Sequence, residues 1–263
     1  MKFYSSFPLT PNNYLTNRAI NYGDGLFETM LVRNKKIALW DIHIGRLSEG
    51  LDRLKLESIP KALIYAKILS LISDDESYIV KLVLFRDDAK RGYGSDSSLI
   101  HYYITVNPYI KSKSNEYLTV SSVRLAKQKN LAGLKHLNRL EQVLAAQELN
   151  DSKYFDAIML DSKQRVIETI SKNIVMIKKD KLYTPKLNKC GVYGVALRWL
   201  QKQGYELKWK KIEFKSLQKY DGMMVCNSVQ GFVSIANIDN KIEFKQVSPV
   251  ANEIQENWKK YTN

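Results

Sequence analysis

Two cysteines and three histidines are all that the 263 residues contain. Disulfide frameworks and structural zinc centres need such residues in closely spaced groups. Cys190 and Cys226 have no second pair, and His43, His101 and His136 are scattered, so no metal is expected. No apolar run approaches the roughly 18 residues that a membrane helix requires. The opening MKFYSSFPLT lacks the apolar centre of a secretion signal, which makes the cytoplasm the expected compartment and leaves no membrane partner. Repeats and low-complexity runs are also missing. No glycine-rich fingerprint of the dinucleotide or P-loop kind occurs, so nucleotide binding is not expected. Acid is the scarcer charge, with 27 Asp and Glu against 41 Lys and Arg, a net +14. Such an excess can serve nucleic acid or a small anion. The lysines, however, fall in turns such as RNKK (Arg33–Lys36) and KKDK (Lys178–Lys181) and form no single stripe interleaved with aromatics. They read as solvated faces, and no nucleic-acid partner is expected.

What is present is the composition of a globular protein, 44% hydrophobic and 26% charged. A chain of this length buries roughly 70 to 75% of its unfolded surface. FETMLV and KIALW flank the turn at Arg33–Lys36 and read as a hairpin, with YGDG supplying a turn before it. In HIGRLSEGLDRL the apolar positions Ile44, Leu47, Leu51 and Leu54 follow helical spacing behind Asp41, an expected N-cap. Pro60 opens a second helix, ALIYAKILSLI. Tyr78–Phe85 and Leu99–Val106 read as strands around a loop containing RGYG. These make a small α+β domain, 1–106. The proline, serine and charge of NPYIKSKSNE mark 107–116 as a linker.

Beyond the linker, a larger α+β domain is expected over 117–263. LTVSSVRLA, DAIML and RVIE read as strands, NIVMI and LYTP as a hairpin, and 193–203 as a helix. ELKWKKIEF, GMMVCNS and GFVSIANI read as further strands, and SPVANEIQENWKKY as a closing helix entered through Pro249. Lys135 stands at a junction in this domain. Strand pattern ends before it, and Leu137, Leu140, Leu144 and Leu149 follow near helical spacing. A lysine amine becomes a nucleophile toward carbonyls once desolvation or a neighbouring charge lowers its pKa.

GLKHLNRLEQ, around that lysine, resembles the cofactor-lysine segment of the class IV pyridoxal-phosphate enzymes. That family comprises branched-chain and D-amino-acid aminotransferases and 4-amino-4-deoxychorismate lyases, and the chain is most similar to the lyases. The similarity runs in order through NYGDGLFETMLV, HIGRL, RGYG, VIETISKNIV, LYTP and CGVYGVALR, nearly the whole chain. It implies a two-domain, D-amino-acid aminotransferase-like fold (fold type IV). The implied cofactor is pyridoxal 5'-phosphate, and the implied assembly is a homodimer in which loops of one subunit help to close the other's site.

Residue by residue, the resemblance makes Lys135 the catalytic, cofactor-bearing lysine. Glu168 becomes the carboxylate beside the pyridine nitrogen, with Asn173 in support. The phosphate falls to the backbone N–H groups of Val195 and Ala196, to Arg46 and to Ser228. Two glycines before and at the start of the helix in CGVYGVALRWL suit an anion, since free N–H groups there point at it with the helix dipole behind them. Val175 stands where the family usually has an aromatic residue, and Arg198 comes one position late. Arg91 and Tyr93 in RGYG resemble the lyase pattern for holding a substrate carboxylate. KHLNRLEQ lacks the tyrosine of branched-chain aminotransferases, having Arg139 and Leu140 there. The implied reaction is conversion of the anionic substrate 4-amino-4-deoxychorismate to 4-aminobenzoate and pyruvate. The alternative is transamination of D-amino or branched-chain amino acids.

Overall fold

The computed structural model describes residues 1–73, 76–111, 116–150, 152–244 and 248–262. The chain divides into two compact units, Met1–Ile110 with Leu134–Asn138, and Lys111–Gly133 with Arg139–Asn263. The division after Ile110 falls inside the stretch expected as a linker. Of that stretch, Asn107 and Pro108 belong to a strand, and 112–115 lie outside the described residues. Leu134–Asn138, expected with the larger domain, groups with the first unit.

The first unit contains β1 (Lys2–Ser5), α1 (Pro11–Leu15), α2 (Arg18–Tyr22), β2 (Gly25–Arg33), β3 (Lys36–Ile37), α3 (Trp40–Leu54), α4 (Lys61–Ser70), β4 (Tyr78–Arg86) and β5 (Ile100–Pro108). Its five-stranded sheet has the order β1-β5-β4-β2-β3, with every pair antiparallel. Asn34 and Lys35, at φ 47° and 56°, make the tight turn between β2 and β3. The strand expected over KIALW stops after Ile37, because Leu39 takes a left-handed conformation (φ 59°) and caps α3. Asp41, expected as that cap, lies in the first turn instead, where its charge still opposes the helix dipole. One face of the sheet (Leu26, Met30, Val80, Leu82, Ile104) packs on Ile44, Leu47 and Leu51 of α3 and on Ile64 and Ile68 of α4. The YGDG turn is more structured than the sequence suggests, because Gly23 at φ 62° terminates α2.

The second unit contains β6 (Tyr117–Leu125), α5 (Leu140–Gln147), β7 (Asp156–Asp161), β8 (Arg165–Thr169), β9 (Asn173–Lys178), β10 (Lys181–Pro185), α6 (Val195–Lys202), β11 (Leu207–Lys210), β12 (Ile212–Glu213), β13 (Gly222–Asn227), β14 (Gly231–Ser234), β15 (Asn237–Ile238), β16 (Ile242–Glu243) and α7 (Pro249–Thr262). One sheet has the order β11-β10-β9-β13-β14 and the other β12-β8-β7-β6-β15-β16. They share a core in which Leu118, Ile158, Leu160 and Val166 of one meet Ile174, Met176, Met223 and Val225 of the other. ELKWKKIEF, read as one strand, is two: β11 pairs with β10 in the first sheet and β12 with β8 in the second. GFVSIANI likewise divides into β14 and β15. Helix α5 begins at Leu140, several residues later than the spacing of leucines suggested, and Leu140 and Leu144 are exposed.

Helix α6 is amphipathic, and its buried side carries Val195, Ala196, Leu197, Trp199 and Leu200. Trp199 is fully buried among the rings of Tyr205, Phe232, Trp258 and Tyr261, with the Trp258 ring edge-on at 5.0 Å. Truncating a buried tryptophan forfeits its transfer free energy and leaves a cavity. Trp199→Ala is expected to destabilise the second unit by about 3–5 kcal/mol, read as a lower midpoint in urea.

Candidate active site

Lys135 lies on an extended segment held along β2. The Phe27 N–H donates to the Lys135 carbonyl at 3.0 Å, the Leu137 N–H donates to the Gly25 carbonyl at 3.0 Å, and Leu26 bridges to His136. Asn138 Nδ2 donates to the Gly23 carbonyl at 3.1 Å. These bonds explain why Leu134–Asn138 groups with the first unit. The Lys135 amine sits 4.3 Å from the centre of the Phe27 ring, a contact that favours the cation. Gly25 is required here, since a Cβ would come within 2.2 Å of the Leu84 carbonyl oxygen.

Next along β2, Glu28 is buried and charged. Arg46 donates to it through Nε at 2.7 Å and through Nη2, and His43 Nδ1 lies 2.6 Å from its Oε2. His43 and Arg46 are three residues apart on α3 and so share a helix face. Burial pushes the Glu28 carboxyl up, but the Arg46 guanidinium and His43 pull it down further, to about 2. Burial pushes His43 below its ordinary value of 6.5, against the pull of Glu28. A neutral His43 donates from Nδ1 to Glu28. Its Nε2 is buried and has no hydrogen-bond partner among the described residues. The Arg46 bonds to Glu28 use Nε and Nη2 and leave Nη1 outside the pair.

In the second unit, Glu168 is the penultimate residue of β8 and Asn173 begins β9, and both grip the backbone of Val192. Its N–H donates to Glu168 Oε2 at 2.8 Å, and its carbonyl accepts from Asn173 Nδ2 at 2.8 Å. This fixes the loop that runs into α6. Gly194 caps that helix with no side-chain hydrogen bond, and a Cβ there would meet Asn173 Oδ1 at 1.9 Å. Gly191, at φ 84°, passes 3.3 Å from Glu168 Oε2 measured to an added Cβ. Val195 and Ala196 therefore open α6 directly behind a glycine, which has no side chain with which to cap the first turn. The strand register sets Asn173 opposite Cys226, so Ser228, in the turn after β13, stands at the same end of the sheet.

Arg91 and Tyr93 are exposed on the loop between β4 and β5, Tyr93 to 88%. Glu28 and His43 had no assigned role in the sequence reading. The available signal was a glutamate inside the apolar strand LFETMLV, which needs a buried partner.

An antiparallel sheet with two helices on it, and a second unit of two sheets with a short helix over them, define the D-amino-acid aminotransferase-like architecture, fold type IV. The chain matches the Amino-transferase class IV family over residues 25–238 and belongs to it. It is 31% identical to aminodeoxychorismate lyase of Vibrio harveyi over 244 residues, 88% of this chain and 90% of that protein. The structure of 4-amino-4-deoxychorismate lyase from Pseudomonas aeruginosa superposes with a TM-score of 0.86 at 29% identity, covering 98% of each chain. A PLP-bound hypothetical aminotransferase from Mycobacterium tuberculosis, 18% identical, shares the fold with a TM-score of 0.76 over 98% of this chain and 94% of that one. No helix among the described residues is long and apolar enough to cross a membrane.

The buried charges set a pH dependence. His43 is kept neutral in the fold, so the unfolded chain takes up its proton first and stability starts to fall below pH 6.5. Glu28, depressed from 4.5 to about 2, contributes stability that is complete above pH 4.5 and is lost as pH falls toward 2. Glu28→Gln leaves the Arg46 cation buried without a counter-charge. It should lower stability at pH 7 by about 3–5 kcal/mol and flatten the acid limb between pH 4.5 and 2, as measured by urea titrations across pH.

Proposed function

We propose that this chain is a pyridoxal-phosphate-dependent lyase that converts 4-amino-4-deoxychorismate to 4-aminobenzoate and pyruvate, in the cytoplasm and as a homodimer. The observation that supports the reading is 31% identity over 88% of this chain to a protein named aminodeoxychorismate lyase. The residues present suit the cofactor. A buried carboxylate, Glu168, can keep a ring nitrogen protonated. The first turn of α6, with Val195 and Ala196, would offer N–H groups to a phosphate, Ser228 a hydroxyl, and Arg46 a charged donor. Pyridoxal phosphate, when bound, supplies an aldehyde for a lysine amine and a ring that accepts electrons from the reacting carbon.

The protein's own work follows from these groups. Lys135 would hold the cofactor through its amine and, once the substrate's amine has replaced it, would take the proton from the carbon that bears that amine. Glu168, held by the Val192 N–H, would serve the ring nitrogen, while Asn173 keeps the loop ahead of α6 in place. Glu28 prevents the Arg46 guanidinium from swinging, so less ordering is needed when a phosphate arrives. Arg91, with Tyr93, orients a substrate carboxylate. Loss of the neighbouring enolpyruvyl group then leaves an aromatic ring, and no second acid is needed to accept an amino group.

Purified protein incubated with pyridoxal phosphate should be yellow. Lys135→Ala should lose both the visible band bound to protein and all turnover. Supplied with aminodeoxychorismate, the enzyme should release 4-aminobenzoate and pyruvate in equal amounts. Glutamate formed from D-alanine or leucine with 2-oxoglutarate, without any 4-aminobenzoate, would show an aminotransferase instead. Sedimentation should give a species of two chains, and a one-chain species at micromolar concentration would remove the homodimer.

A further inference from the structure

We infer that Arg18, locked to Asp24, is a positioning residue for carboxylate recognition, setting the backbone beneath Arg91 and Tyr93. The inference rests on the reading of that loop as the substrate loop and adds the part of the protein that shapes it.

Residues 87–99 form no regular element. A charged side chain at the tip of such a loop discriminates among ligands only if the backbone under it is already ordered, because otherwise binding must meet the entropy of ordering it. Arg18 supplies that order from α2. It is 3% exposed, and its Nη1 donates to the Gly92 carbonyl at 3.0 Å and its Nη2 to the Tyr93 carbonyl at 2.9 Å. Its Nε donates to Asp24 at 2.8 Å. All three nitrogens of the guanidinium are thereby used, two of them on consecutive carbonyls of the loop tip.

The same helix takes the loop's amide, since the Gly92 N–H donates to Tyr22 Oη at 3.0 Å. The Tyr22 ring lies under the Arg18 guanidinium, 4.9 Å from its centre, and meets Tyr93 edge-on at 5.4 Å. Gly92, at φ 95°, supplies the backbone turn that directs both carbonyls inward.

The far side of the loop is held through the same carboxylate. Arg86 donates to Asp24 Oδ2 at 3.0 Å, to the Leu54 carbonyl at 2.7 Å and to the Ser97 carbonyl. Asp24 thus lies between two largely buried guanidinium groups, Arg18 on the Gly92 and Tyr93 carbonyls and Arg86 on the Ser97 carbonyl. A merely structural strut would need no such selectivity for its tip. Here the polar bonds fall on the carbonyls of Gly92 and Tyr93, which flank the side chains that address the substrate.

The test uses holoprotein and calorimetric binding of 4-aminobenzoate, with Arg91→Ala as reference. Arg18→Ala and Arg91→Ala should each weaken binding roughly tenfold, the effect of losing charged hydrogen bonds or the order they impose. Arg18→Ala should also raise KM with kcat within about twofold, and speed trypsin cleavage after Lys90 or Arg91. Should Arg18→Ala fail to fold, Asp24→Asn, which keeps the shape and removes the counter-charge, carries the same measurements. If Arg91→Ala weakens binding and the Arg18 or Asp24 variant does not, the inference is overturned while the substrate-loop reading stands. If Arg91→Ala binds as the wild type does, the loop reading itself fails, and the inference falls with it.

Discussion

A carboxylate shut away from water must have its charge met by protein, and Glu28 imposes that requirement on the whole first unit. It sits on β2, next to the Phe27 whose N–H holds the Lys135 segment. Meeting its charge takes both His43 and Arg46, so α3 must lie across the strand at one rotation only. A one-residue slip of β2 would turn Glu28 to the opposite face and leave Arg46 buried with no partner. Hydrophobic packing of Leu26 and Met30 on Ile44 and Leu47 makes the contact strong, while the ion pair makes it unique.

The second unit solves a related problem through backbone contacts. The loop before α6 has to come close to two strands without a cap of its own. Glu168 accepts from Val192 and Asn173 donates to it, so one peptide pair is held from both directions. That leaves no room for a side chain at position 194, and glycine there follows from the contact with Asn173.

Much of this was legible beforehand where apolar spacing is regular and long. The helices entered by Pro60 and Pro249, the strands Tyr78–Arg86 and Ile100–Pro108, and the hairpin of β9 and β10 fall within a few residues of their expected places. Short apolar runs were read too simply. KIALW and ELKWKKIEF carry the composition of strands, but Leu39 reverses the backbone in one and the chain changes sheets in the other. Leu137 keeps helical spacing with Leu140 and yet belongs to an extended segment, because a bond to Gly25 outweighs local periodicity. Lys135, Glu168 and Asn173 could be chosen because each lies in a motif contiguous in sequence. Glu28 finds its partner 18 residues away, and Arg18 finds the Gly92 carbonyl 74 residues away. Nothing local announces either pairing.

The passage from β11 to β12 through Lys211 has a consequence for how the second unit comes apart. One residue separates a strand hydrogen-bonded into one sheet from a strand hydrogen-bonded into the other. Peeling β11 away from β10 pulls directly on β12 at the edge of the opposite layer, with no slack to absorb the motion. This short link couples the two layers mechanically, and slow amide exchange in β9 and in β7 is expected to share one opening event.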